Sequence, residues 1–277
     1  MAGRLEGKVA FITGAARGQG RNHAIRLAQE GADIIAVDVS DQVATVPYDT
    51  ARAEDLAETV RQVEALDRRI VAREADVRDL AALTAVADEG VAELGRLDII
   101  LANAGINTMS PTLEMDEEMW QTMIDVNLTG VWKTVRAAAP HIVAGGNGGA
   151  IVITSSLASM KTNANIAHYT AAKSGVVGLM RVLAKELAPQ SIRVNTIHPT
   201  TLASPMILND PTYKLFRPDL ESPTREDFEE AARQMNLMPT AALEPDDTSE
   251  AILYLVSDSG RYVTGIEHVL DAGARQG

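Results

Sequence analysis

An α/β fold built on one doubly wound parallel sheet, of about seven strands with helices on both faces, is predicted by three observations. Short apolar runs rich in Val, Ile and Ala recur along the 277 residues, separated by segments whose apolar residues fall at helical spacing. The first run stops at a glycine cluster, Gly14-Ala15-Ala16-Arg17-Gly18-Gln19-Gly20. No repeat, linker or composition shift marks a second core, so residues 1–277 read as a single domain.

Composition narrows the function. The formal net charge of −13 disfavours nucleic acid and anionic membranes as partners. Cysteine is absent, which removes disulfides, thiolate metal sites and a thiol nucleophile, and the five histidines show no ligand spacing, so no metal is expected. No apolar run approaches the ~20 residues of a membrane span, and residues 1–8 lack the apolar core of a signal peptide. The expectation is a soluble cytoplasmic protein.

Residues 8–13 are a buried strand, and after the glycine cluster a helix runs to Glu30 with Gly31 as its stop. Residues 33–38 are the second strand. Strand, glycine turn, helix and strand within about 30 residues make a Rossmann-type dinucleotide site. Gly14, Gly18 and Gly20 let the backbone turn tightly and bring a pyrophosphate to the helix N-terminus, with Arg17 and Gln19 in the same turn. Asp38 ends the second strand, where a carboxylate accepts hydrogen bonds from the adenosine ribose and repels a 2′-phosphate. Val39, not a basic residue, follows it, so NAD is favoured over NADP. Arg17 is a counter-signal, since a guanidinium there can pair with such a phosphate, contact the diphosphate or simply face solvent.

Residues 40–52, with Pro47, form a loop longer than usual. A helix over 53–67 and a strand over 70–74 lead to Ala75-Asp76-Val77, where Asp76 either caps the next helix or faces an adenine amino group. A helix over 79–94 precedes the fourth strand, 97–101. Its exit, Asn103-Ala104-Gly105, is small enough for a flat cofactor ring to lie against backbone. One long helix is predicted over 116–140, with Asn127 in its middle as a core amide. The fifth strand is 150–156. A helix over 167–188 is stopped by Pro189, and the sixth strand, 192–197, exits through His198-Pro199-Thr200-Thr201-Leu202. Residues 203–245 are irregular apart from a helix over 225–236, and they follow a strand's carboxyl end, so they lie over the ligand crevice. Met206, Leu208, Phe216, Leu237 and Met238 there either line an apolar pocket or pack in the core. A helix over 246–257 and a strand over 267–270 complete the chain.

Tyr169 and Lys173 stand one turn apart on one helix face. An ammonium beside a phenol favours the phenolate and lowers the tyrosine pKa from about 10 toward working pH, which suits a general acid or base. Ser155 and Ser156 compete for a role beside it, and strand alternation sends them to opposite faces.

Taken in order, Thr13-Gly14-x-x-x-Gly18-x-Gly20, Asn103-Ala104-Gly105, Asn127, Ser156, Tyr169 and Lys173 resemble the short-chain dehydrogenase/reductase superfamily over about residues 8–272. The resemblance implies hydride transfer between a nicotinamide and an alcohol or carbonyl carbon. Ser156, thirteen positions before Tyr169, takes the family's serine role, and Ser156 and Tyr169 hold the substrate oxygen. Lys173 also binds the nicotinamide ribose, and Asn127 holds a water that relays protons from Lys173. Val39, Asp76, Val77, Pro199, Thr201 and Leu202 fall at cofactor-contact positions, and the family commonly forms tetramers. The run from Thr13 to His23, the loop with Val46-Pro47-Tyr48, and His198-Pro199-Thr200-Thr201 look like the mycofactocin-coupled subgroup, which includes proteins named carveol dehydrogenases. That subgroup implies an alicyclic or terpenoid alcohol, NAD that stays bound, and an external redox carrier. The rival readings are an NADP-dependent oxoacyl or steroid carbonyl reductase and a non-catalytic dinucleotide sensor. The sensor reading is disfavoured because both Tyr169 and Lys173 are present.

Overall fold

A computed structural model describes residues 3–276. Seven strands form one sheet in the order β3-β2-β1-β4-β5-β6-β7, with every neighbouring pair parallel. They are β1 (Val9–Thr13), β2 (Asp33–Asp38), β3 (Ile70–Glu74), β4 (Ile99–Ala102), β5 (Gly149–Thr154), β6 (Ile192–Pro199) and β7 (Glu267–Leu270). Period-two alternation divides the core. Phe11, Ile35 and Val37 join the apolar layer under α3 (Leu80–Leu94), α5 (Gly130–Gly145) and α6 (Ala167–Leu187). Ile12, Ile34 and Ala36 join the layer under α1 (Gly18–Gln29), α2 (Ala53–Glu64) and α9 (Pro245–Val256). Successive strands run outward from β1 in both directions, so the order reverses between β1 and β4. In open parallel sheets that reversal opens a crevice at the strands' carboxyl ends.

Four differences from the sequence reading bear on the site. The helix expected over 116–140 is interrupted: α4 (Glu117–Ile124) passes through a π-helical turn, Asp125–Thr129, into α5, and Pro140 lies inside α5 instead of ending it. The π turn accompanies a tertiary contact of Asn127, described below. Ser156 does not end a strand; β5 stops at Thr154, and Ser156 instead caps a 3₁₀ turn, Leu157–Ser159. Asp79, not Asp76, caps α3, accepting from the Ala81 and Ala82 amides at 2.9 and 3.1 Å. The segment over 203–245 holds α7 (Asp210–Phe216), which the irregular composition hid, besides α8 (Arg225–Arg233). These two build a small core of their own, with the Phe216 and Phe228 rings 4.8 Å apart and Tyr213 on the other side at 5.4 Å.

Candidate active site

The glycine turn is held by close backbone approach. Gly14 has φ +70°, and a β-carbon there would fall 2.8 Å from the Ala104 Cα; on Gly20 it would fall 1.9 Å from the Gly14 carbonyl oxygen. Thr13 and Asn103 stitch β1 to β4: the Asn103 amide donates to the Thr13 carbonyl at 3.1 Å and its backbone N–H to the Thr13 hydroxyl at 3.2 Å. Helix α1 begins at Gly18 with no acidic residue in its first turn and, unlike α3, α4 and α8, which Asp79, Asp116 and Thr224 cap, with no side-chain cap. Its first N–H groups are left to an anion.

Asp38 accepts from the Ala16 amide at 2.7 Å and the Val39 amide at 2.8 Å. Burial pushes its carboxyl up, against those two bonds. Each carboxylate oxygen retains a lone pair for a further donor. Arg17 donates to the main-chain oxygen of Asp49 and so ties the glycine turn to the loop at 40–52. Asp76 accepts from the Arg78 amide at 2.7 Å and pairs with its guanidinium at 2.6 Å. With Val77, Gln19, Gly105 and the residues already named, these groups line one continuous cleft.

A second cavity, of about 470 Å³, takes in Ser156, Tyr169, Lys173, Pro199, Thr201 and Leu202. The two share Gln19, Asn103, Gly105 and Met206, so they open into each other. All the catalytic and cofactor-contact candidates therefore border one of the two spaces, except Asn127. Asn127 is buried behind the wall, its amide accepting from the Ile106 N–H at 2.9 Å and donating to the Ile106 carbonyl at 2.8 Å. A β-carbon on Gly105 would lie 3.2 Å from the Asn127 Oδ1 and 3.5 Å from the Lys173 Nζ, so only a bare backbone separates the two side chains.

Lys173 Nζ lies 5.7 Å from the centre of the Tyr169 ring and donates to the Thr154 carbonyl at 2.8 Å. Burial pulls its ammonium down to about 8. Burial pushes the Tyr169 phenol up, with a hydrogen bond to Ser156 opposing it. The sequence reading expected that phenol to be lowered. The direction differs because both groups leave water on the same helix face, and desolvation penalises the phenolate and the ammonium alike. Ser155 also borders the cavity, but its hydroxyl donates to the Lys173 carbonyl at 2.9 Å, and it is Ser156 that hydrogen-bonds Tyr169.

Two residues that the sequence reading named without a role sit beside the site. Buried His198 reaches the Ser156 carbonyl at 3.1 Å, the Ser159 hydroxyl at 3.0 Å and the Thr196 hydroxyl at 2.8 Å, fastening the turn that carries Ser156 to β6. Burial lowers its pKa, so it is neutral near pH 7. The other is Tyr48, whose hydroxyl accepts from the Asn107 amide at 3.0 Å. An aromatic ring inside a polar loop was the available signal for it. Of the five apolar candidates, Met206 and Phe216 line the substrate cavity and Leu208 packs on the small core. Leu237 and Met238 are 66% and 61% exposed and line nothing. Among the described residues no helix is long and apolar enough to cross a membrane.

Residues 8–212 match the family model described as short chain dehydrogenase. The chain is 55% identical to the (-)-trans-carveol dehydrogenase of Rhodococcus erythropolis over 98% of both proteins. It superposes on a carveol dehydrogenase from Mycobacterium avium in complex with NAD at a TM-score of 0.98, with 52% identity over 99% of this chain and 100% of that one. A short chain dehydrogenase from Mycobacterium paratuberculosis bound to NAD gives a TM-score of 0.91 at 46% identity, covering 99% of this chain and 100% of that chain.

Proposed function

The chain belongs to the short-chain dehydrogenase family and is an NAD-dependent alcohol oxidoreductase, and we propose that its substrate is an alicyclic or terpenoid secondary alcohol or the matching ketone. The observation that carries this reading is the opening of the glycine-turn cleft into an apolar cavity, with Ser156, Tyr169 and Lys173 on its far wall. The cleft suits a dinucleotide: α1 offers uncapped N–H groups to a diphosphate, and Asp38 offers carboxylate lone pairs to a ribose. The same carboxylate, followed by Val39, repels the 2′-phosphate of NADP.

Bound there, NAD supplies the hydride acceptor and a positive charge beside Tyr169. Ser156 and Tyr169 hold the substrate oxygen between their hydroxyls. In oxidation Tyr169 takes the hydroxyl proton. Because burial raises its pKa against the Ser156 hydrogen bond, the phenolate gains from a nearby cation, and Lys173 Nζ stands 5.7 Å from its ring. Lys173 also holds the nicotinamide ribose. Asn127 fixes Ile106 across the bare backbone of Gly105 and, as in the family pattern, holds a water that passes protons from Lys173 to solvent.

Three finer readings accompany this one. The segment at 203–245 covers the substrate, supported by Met206 and Phe216 in the cavity wall. NAD stays bound and is re-oxidised in place by an external redox carrier; the Arg17–Asp49 tie across the cleft mouth favours slow exit, and ordinary turnover with free NAD as sole oxidant would count against it. The protein assembles as a homotetramer, supported by the partly exposed Trp120 on α4, Trp132 on α5 and Val182 on α6; sedimentation velocity reads its mass.

The deciding experiment is mass spectrometry of nucleotide released on denaturing the purified protein, followed by a panel of alicyclic alcohols with an artificial electron acceptor. NAD in the supernatant and a ketone product are expected. A protein that neither carries nor binds NAD, or oxidises none of the panel, sinks the reading.

A further inference from the structure

The loop at 40–52 is built on its own hydrogen bonds. The Gln42 amide donates to the Val43, Val46 and Tyr48 carbonyls at 3.3, 3.2 and 3.1 Å and accepts from the Thr50 amide at 3.0 Å. Val43 and Val46 are buried beneath it, at 9% and 5% exposure. That frame aims the Tyr48 ring into the cofactor cleft, beside the same apolar layer that Ala104 and Tyr169 border. There its oxygen receives the N–H of Asn107, two residues beyond Gly105. A phenol oxygen that accepts one bond still has a hydrogen to give. Among the described residues no acceptor for that hydrogen is found. Burial pushes the Tyr48 phenol up to about 12, so it keeps its proton at any working pH.

A hydroxyl with a hydrogen to give at the wall of a binding cleft is placed to meet an acceptor on the bound ligand. We propose that Tyr48 is a cofactor-positioning residue: its hydroxyl donates to an oxygen of the nicotinamide half of the bound dinucleotide while the Asn107 amide holds it in place. The proposal rests on the reading of the cleft as an NAD site. It gives the loop a share in the reaction geometry. Four neighbouring positions of the segment after β4 are each fastened to a different element: Ile106 to Asn127, Asn107 to Tyr48, Thr108 to His168 at 2.7 Å, and Ser110 to the Asn165 carbonyl at 2.9 Å. Tyr48 thus joins the adenosine-side loop to the backbone that carries the nicotinamide-side residues.

Calorimetric titration of nucleotide-free wild type and Tyr48→Phe with NAD and with AMP tests this. AMP carries the adenosine half alone. We expect Tyr48→Phe to bind NAD about tenfold more weakly, the size of one hydrogen bond, and AMP within twofold of wild type. Unchanged NAD affinity overturns the proposal. So does a parallel loss for both nucleotides, because the tyrosine would then only shape the loop. If wild type binds AMP but not NAD, the cofactor reading fails and not this residue assignment alone.

Discussion

The cofactor cleft and the substrate cavity meet at Gly105 and are made of different materials. The cleft is a backbone object. Gly14 and Gly20 leave no room for a β-carbon, α1 presents bare amides, and Asp38 and Asn103 are clamped by main-chain groups. The cavity is a side-chain object, walled by Met206 and Phe216, on a segment that carries its own small core, and by Ile166 at the start of α6. Backbone geometry admits few alternatives, whereas apolar walls tolerate exchange at conserved volume. The cleft therefore fixes the cofactor, while the apolar walls of the cavity are free to set which alcohol sits beside Ser156 and Tyr169.

The comparison sharpens from the largest effect to the smallest. Tyr169→Phe, in the cavity, should cut turnover by about 10²–10⁴-fold while NAD affinity holds, read by steady-state kinetics and titration. Near-full activity would remove the proton path. Gly20→Ala should fail at the cofactor end specifically: the new methyl meets the Gly14 carbonyl, costing about 1–3 kcal/mol of stability or more and at least tenfold in NAD affinity, read by thermal melting and calorimetry. Phe216→Ala should leave NAD affinity alone and shift the ratio of kcat/KM between bulky and small alcohols by about 10- to 100-fold; a change in NAD affinity would break the division between the two regions.

The rigid end also carries a pH signature. His23 on α1 is wholly buried against Ser249 of α9, and burial pulls its pKa from 6.5 to about 3. The folded state therefore refuses a proton that the unfolded chain accepts. The stability this contributes is complete above pH 6.5 and is lost as pH falls toward 3, by about 1.4 kcal/mol per pH unit. Urea midpoints for His23→Gln should fall less steeply over that window than for wild type. At the far end of the scale, Met238→Ser should change melting and kinetics by no more than about 0.5 kcal/mol, since that side chain is 61% exposed.

Legibility follows the same division. Glycine spacing, Asp38 at a strand end, and Tyr169 one turn from Lys173 are local patterns, and each landed where the sequence placed it. Of the two places offered for Asp76, the helix cap went to Asp79, while Asp76 lines the cleft paired with Arg78. Leu237 and Met238 read as apolar and turned out exposed, since the main chain there is fastened by its amides to the Ala272 carbonyl and not by those side chains.

What the sequence by itself determined was the strand order, the glycine turn and the placing of Tyr169 one helical turn from Lys173, because periodicity and glycine sterics act over a few neighbouring residues. Tertiary structure alone decided the rest. It broke a long helix with a π turn where Asn127 reaches Ile106, moved Ser156 onto a turn held by His198, and swung Tyr48 into the cleft. It also reversed the expected shift of the Tyr169 phenol, since the cost of desolvation is set by what packs around a group and not by which residue stands one helical turn away.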